Sequence, residues 1–201
     1  MSERTRKIVW AFLAAASFLL FYVLPNRLTA HSGATNVQFD FERHIPLVPE
    51  TVVAYLAIFP YVILSFYNIQ NYRQFRNAVF AIFVIGFVSG IIFFIFPSTM
   101  ARPLVLEDNP FSWVLGTLHE LDRPYNLFPS LHVSFSVLTA LIKTRIAPRL
   151  KFFHWGAAAL ISISTLFVKQ HALVDIAGGI IVAVLAFSVF IVLEKNFSRG
   201  R

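Results

Sequence analysis

Six apolar runs separated by polar stretches divide the chain, near Ile8–Leu24, Thr51–Ile69, Ala78–Phe96, Ser130–Thr144, Phe152–Val168 and Leu173–Leu193. A helix needs roughly 17 to 25 residues to cross the hydrocarbon of a bilayer. Five runs have about that length, and the fourth is short. Its Ser134, Ser136 and Thr139 place it inside a bundle, away from lipid. The pattern predicts an all-α polytopic membrane protein, a six-transmembrane-helix bundle. Residues 1–201 form a single integral membrane domain, with no fixed-period repeat and no low-complexity tail.

Composition supports the bilayer. The chain is 57% hydrophobic and 13% charged, with a mean hydropathy of +0.70, whereas soluble domains carry about a quarter charged residues. So few charges cannot cover a water-facing surface. The absence of cysteine excludes structural disulfides and thiolate metal sites. A net charge of +7 could suggest nucleic acid, but in a membrane protein it reflects basic cytoplasmic loops, so no nucleic-acid partner is expected.

The basic residues are unevenly shared between the two sides. The N-terminus (Arg4, Arg6, Lys7), the second loop (Arg73, Arg76), the fourth (Lys143, Arg145, Arg149, Lys151) and the C-terminus (Lys195, Arg199, Arg201) hold twelve of the seventeen. Positive charge marks the cytoplasmic side, so both termini are expected there and the odd loops outside. Those outer loops, 25–50 and 97–129, are long, rich in proline and aromatics, and carry most of the acids, Glu107 among them. The first run follows three basic residues and could be a cleavable signal. Ser32-Gly33-Ala34 is a poor cleavage site well beyond it, so a retained helix is expected.

Chemistry-bearing side chains gather on the outer side. In "NLFPSLHVSFS" (126–136), a helix started by Pro129 would leave the amides of Ser130, Leu131 and His132 as free donors. That is a site for an anion such as phosphate, to which His132 could hand a proton; the alternative is an interfacial histidine beside a capping serine. In "VKQHALVDIAGG" (168–179), His171 and Asp175 share a helix face at a spacing of four. The carboxylate can fix the imidazole tautomer and leave the other nitrogen as base or nucleophile; a structural staple or a proton relay are the alternatives. Gly178-Gly179 permits close approach of another helix, which would bring His132 near His171. Arg102 and Lys169 offer cations at the same level. No metal is expected, because clustered basic residues would repel a divalent ion, and no cofactor is implied.

Together "FPSTMARP" (96–103), "FPSLH" (128–132) and "STLFVKQHALVDIAGG" (164–179) resemble the type 2 phosphatidic acid phosphatase superfamily. The motifs span about residues 96–179. The family's Arg-Pro is matched by Arg102-Pro103, with Arg123-Pro124 a competing match; Pro-Ser-x-His is matched by Pro129, Ser130 and His132, and His-x-x-x-Asp by His171 and Asp175. The resemblance implies that His171 attacks phosphorus to form a phosphohistidine and that Asp175 orients it. It implies that His132 protonates the leaving oxygen and then activates water or an alcohol. Arg102 and the amides around Ser130 would hold the phosphate oxygens.

The chain departs from the family in three places. The lysine usual before Arg-Pro is missing, with Ile95 and Phe96 in its neighbourhood. Ser164-Thr165 stands for the usual Ser-Arg, and Leu131 for a commoner glycine. Lys169 or Arg123 could supply a replacement charge. Phe-Pro-Ser-Leu-His and Lys-Gln-His look more like the branch containing inositol-phosphoceramide-synthase-like transferases, and Asp40, Glu42, Ile45 and Pro46 are loosely similar to its first outer loop.

The leading expectation is a metal-independent membrane lipid phosphatase acting on a phosphate ester or pyrophosphate of a lipid. It would sit in a bacterial inner (plasma) membrane with its site facing the periplasm or exterior. The alternatives are a lipid head-group phosphotransferase, a transporter using the His–Asp pair as a proton relay, and a noncatalytic lipid-binding protein. The particular lipid, the acceptor and the oligomeric state are not specified by sequence.

Overall fold

In a computed structural model the structure describes residues 2–28, 33–106 and 108–198. Among these residues the chain is all-α apart from one pair of two-residue strands. Helix α1 (Glu3–Phe18) continues through a π-helical turn (Leu19–Val23) into α2 (Leu24–Leu28). Strand β1 (Thr35–Asn36) precedes a 3-10 turn, Asp40–His44. Helices α3 (Val52–Leu56) and α4 (Ile58–Tyr67) form one broken span. Pro60 accounts for the break: its ring clashes with the carbonyl of Leu56 and removes one rung of the ladder. Helix α5 (Tyr72–Ile95) leads to β2 (Ser98–Thr99), and α6 (Pro110–Leu121) lies in the second outer loop. Helices α7 (Leu131–Ile146), α8 (Lys151–Phe167) and α9 (Leu173–Ser198) complete the order.

Among the described residues five stretches are long and apolar enough to cross a membrane: Thr5–Asn26, Pro49–Tyr67, Tyr72–Ile95, Pro148–Phe167 and Leu173–Asn196. The fourth run, α7, has 16 helical residues, about 24 Å at 1.5 Å per residue. It is the hub: α8, α9, α4 and α5 all pack on it. Ser134, Ser136 and Thr139 are buried there. Each of these three hydroxyls donates to a carbonyl, Ser134 to Ser130, Ser136 to Val133 and Thr139 to Phe135, as buried polar groups require. Outward-facing side chains such as Phe12, Ile63, Phe87 and Ile181 are large and exposed, the surface that hydrocarbon rather than water accepts.

Helix starts follow their caps. Asn71 accepts from the amides of Arg73 and Gln74, and Asn109, followed by Pro110, accepts from Phe111 and Ser112. Helix α6 and the parallel pairing of β1 with β2 (Thr35 to Ser98, Asn36 to Thr99) were not foreseen from the pattern. They fold the two outer loops together. Ser98 Oγ then accepts from the amides of Leu127 and Phe128, both at 2.8 Å, which sets the approach to α7. Ser32 of the considered cleavage site, the C-terminal Arg199 and Arg201, and Glu107 lie outside the described residues.

Candidate active site

The N-termini of α7 and α9 meet, and this junction builds the site. Ser130 is the N-cap of α7, its Oγ accepting from the Val133 amide at 3.3 Å. Pro129 therefore stands before the cap, not at the first helical position. The Ser130 amide is not free either: it donates to the Asp175 carbonyl at 3.1 Å. Leu131 and His132 occupy the first turn, where amides have no intrahelical acceptor. Closeness depends on two glycines. A Cβ on Gly178 would fall 2.4 Å from the Phe128 ring, and one on Gly179 would fall 2.7 Å from the Ser130 carbonyl oxygen. Ser134 Oγ crosses the seam to the Gly179 carbonyl at 3.0 Å.

Asp175 is fully buried in the first turn of α9. Its Oδ2 accepts from the Ala172 amide at 2.8 Å, an acidic side chain reaching back to the cap amide. The same Oδ2 stands 3.4 Å from His171 Nδ1. That is ion-pair distance, longer than an ideal hydrogen bond, as catalytic pairs often are before substrate binds. The contact leaves His171 Nε2 on the opposite edge of the ring. The His132 and His171 rings lie 6.0 Å apart, and His132 stacks on Tyr55 at 4.0 Å and 20°. His132 Nε2 is buried with no hydrogen-bond partner. Two imidazoles backed by a carboxylate, at the positive ends of two helices, can attack a phosphorus, protonate an oxygen and hold negative charge.

The expected cations are placed differently from one another. Arg102 enters the cluster: Nη1 donates to the Asp122 carbonyl at 2.6 Å and Nη2 to Gln170 Oε1. Burial pushes its pKa down, and Asp122, Tyr55 and Tyr22 oppose that shift. Tyr22, carried by the π-helical turn, donates to Asp122 Oδ1 at 2.6 Å. Lys169 is buried and turns toward the first outer loop, its Nζ donating to the carbonyls of Glu42 (3.2 Å) and Ile45 (2.5 Å). Burial lowers its pKa while Glu42 raises it. Its backbone, at φ 55°, adopts the left-handed turn that aims the side chain there. Arg123 is exposed.

Three residues to which the sequence assigns no role in the site complete the setting. Tyr55 forms the floor under His132. Gln170 links Arg102 to the His171 backbone. Glu42, only 2% exposed, accepts from the Leu173 amide at 2.6 Å and the Phe39 amide at 2.7 Å, clasping the first outer loop to the start of α9. Glu42 was noted as part of an acidic loop, but nothing in the sequence marks it as buried. Gln170 was visible beside His171 as the one polar, uncharged residue of the segment. Beside the cluster opens a cleft of about 440 Å³, lined by Gln38, Arg43, His44, Arg102 and Lys169 among others and by no acid.

Residues 50–189 match the family model described as the PAP2 superfamily. A stretch of 63 residues is 32% identical to the inositol phosphorylceramide synthase catalytic subunit aur1 of Schizosaccharomyces pombe. That stretch is 31% of this chain and spans 15% of the relative's length. No solved structure matches the chain.

Proposed function

The chain belongs to the PAP2 superfamily, the type 2 phosphatidic acid phosphatases, and from that premise we propose that it is a metal-independent membrane lipid phosphatase. The observation that carries the reading is the His171–Asp175 pair facing His132 where two helix N-termini converge. His171 Nε2 attacks the phosphorus of a lipid phosphate as the bond from phosphorus to the lipid oxygen breaks. Protonated His132 gives its proton to that oxygen. Neutral His132 then takes a proton from water, which displaces His171 and releases phosphate. Asp175 holds the His171 ring and stabilises the positive charge that forms on it. Arg102 and the Leu131 and His132 amides receive the phosphoryl oxygens; Ser130 caps the helix that presents them. Lys169 and Arg123 are secondary candidates, Lys169 lining the cleft with one ammonium proton beyond its two carbonyl bonds.

A second reading, transfer of a phosphoryl-bearing head group to an alcohol, is favoured by the basic cleft lined by Arg102 and Lys169, which has room for an acceptor. Water and alcohol attack the same phosphohistidine. In either case α7 is the sixth span, both termini are cytoplasmic, and the site faces the exterior or periplasm of a plasma (bacterial inner) membrane. Basic loop ends opposite the site support that orientation.

Purified full-length protein in detergent, offered a panel of lipid phosphates without added metal, should release phosphate or transfer a head group. His171→Ala should reduce turnover roughly a thousandfold or more, as loss of a nucleophile does elsewhere. No turnover on any lipid, or full activity in His171→Ala, overturns the reading.

A further inference from the structure

Contacts around the reaction centre link two groups of residues. His171 faces His132, which stacks on Tyr55, and Arg102 bonds Gln170, which is joined to His171 by a peptide bond. Besides His171 Nδ1, which faces Asp175 at 3.4 Å, three polar atoms of this group are buried with no hydrogen-bond partner: His132 Nε2, Arg102 Nε and Gln170 Nε2. A buried donor without an acceptor is destabilising, so such atoms call for an explanation. The guanidinium nitrogen and the amide nitrogen only donate. What satisfies them together is a group with several acceptor oxygens, and a phosphoryl group is that.

Gln170 is the least adjustable of the three. It is 1% exposed. Its amide donates to the Thr165 carbonyl at 3.0 Å, and the His171 amide donates to the same oxygen at 3.2 Å. Arg102 can only donate, so Gln170 must turn its oxygen to the guanidinium and its NH2 away. A flipped amide would set donor against donor. The cation on the oxygen also draws electrons from the amide and strengthens its N–H bonds as donors. Thr165, where the family commonly has arginine, spends its hydroxyl on the Ser162 carbonyl at 2.7 Å.

We infer that Gln170 is a further catalytic residue, its side-chain NH2 donating to an oxygen of the phosphoryl group as that group passes to and from His171. This rests on the phosphohistidine reading above. In effect, Gln170 relays the pull of Arg102 to the substrate without a charge of its own.

Orthovanadate inhibition and single-turnover phosphate release, measured on the full chain in detergent, test the inference. Gln170→Leu removes both ends of the amide. Gln170→Glu keeps an oxygen for Arg102 and turns an anion toward the phosphoryl group. Both variants should lose about 10- to 100-fold in vanadate affinity and in turnover, the scale of a hydrogen bond to a charged group, with glutamate at least as damaging as leucine. If Gln170→Glu binds vanadate like the wild type, Gln170 merely braces Arg102 and the inference is wrong. Should the glutamate variant fail to fold, Gln170→Leu on an Arg102→Lys background decides. A further loss of about tenfold supports direct contact, and no further loss overturns it. A wild-type protein indifferent to vanadate overturns the phosphohistidine reading, and the inference with it.

Discussion

At the scale of single residues, the site depends on histidines kept in defined states by unlike neighbours. His171 has a carboxylate behind it, whereas His132 has a tyrosine face beneath it and a buried, unpartnered nitrogen. A third histidine, His119, acts on the frame. Its Nε2–H donates to the Val168 carbonyl at 2.8 Å, steadying the turn that delivers Lys169, Gln170 and His171. Burial holds the His119 pKa below its ordinary 6.5, and the bond to Val168 and Asp122 only partly offset this. Between the two values the unfolded chain binds more protons than the folded one. The His119 contribution is thus fully present above the unfolded value of 6.5 and is lost as pH falls through the folded value. Thermal unfolding in detergent at pH 7.5 and pH 5 should show a lower midpoint in acid, and His119→Gln should flatten that difference. An equal acid loss in the variant would assign the effect elsewhere.

At the scale of elements, the seam between α7 and α9 is where the sequence was most and least informative. The close helix contact was legible, because Gly178-Gly179 follows Asp175 by one turn and small residues admit a neighbouring backbone. The start of α7 was misjudged. Proline ahead of a capping serine resembles proline at the first helical position, and only the Ser130 cap, its Oγ accepting from the Val133 amide, separates them. Lys169 was harder still: one left-handed residue reverses where its side chain points, and the carbonyls it meets lie more than a hundred residues away. Tertiary contacts of that span leave no local pattern. Gly179→Ala tests the seam. Its methyl group meets backbone at 2.7 Å, which cannot yield as a flexible side chain can. The expected cost is about 1–3 kcal/mol, read as a fall in the unfolding midpoint, with turnover reduced more than Gly156→Ala reduces it. Nothing lies within 4 Å of a Cβ on Gly156.

For the molecule as a whole, apolar runs sufficed for the class, and loop charges argue for a sidedness. They did not reveal that the two outer loops join through a parallel strand pair and a buried glutamate. The absence of cysteine makes sidedness directly testable. Arg43→Cys, on the exposed first outer loop, should react with a membrane-impermeant maleimide in intact cells. Arg149→Cys, on the exposed turn before α8, should react only after permeabilisation. The reverse pattern would invert the topology and move the reaction to the cytoplasm.

The bond from the Ser130 amide to the Asp175 carbonyl has one more consequence. It joins the segment carrying the proposed acid to the segment carrying the proposed nucleophile, so neither half of that chemistry belongs to a loop that can loosen alone. Catalytic competence and cooperative folding therefore share one fastening. On heating, activity should persist until the bundle itself separates, then vanish with it, leaving no temperature at which an intact scaffold holds a spoiled centre.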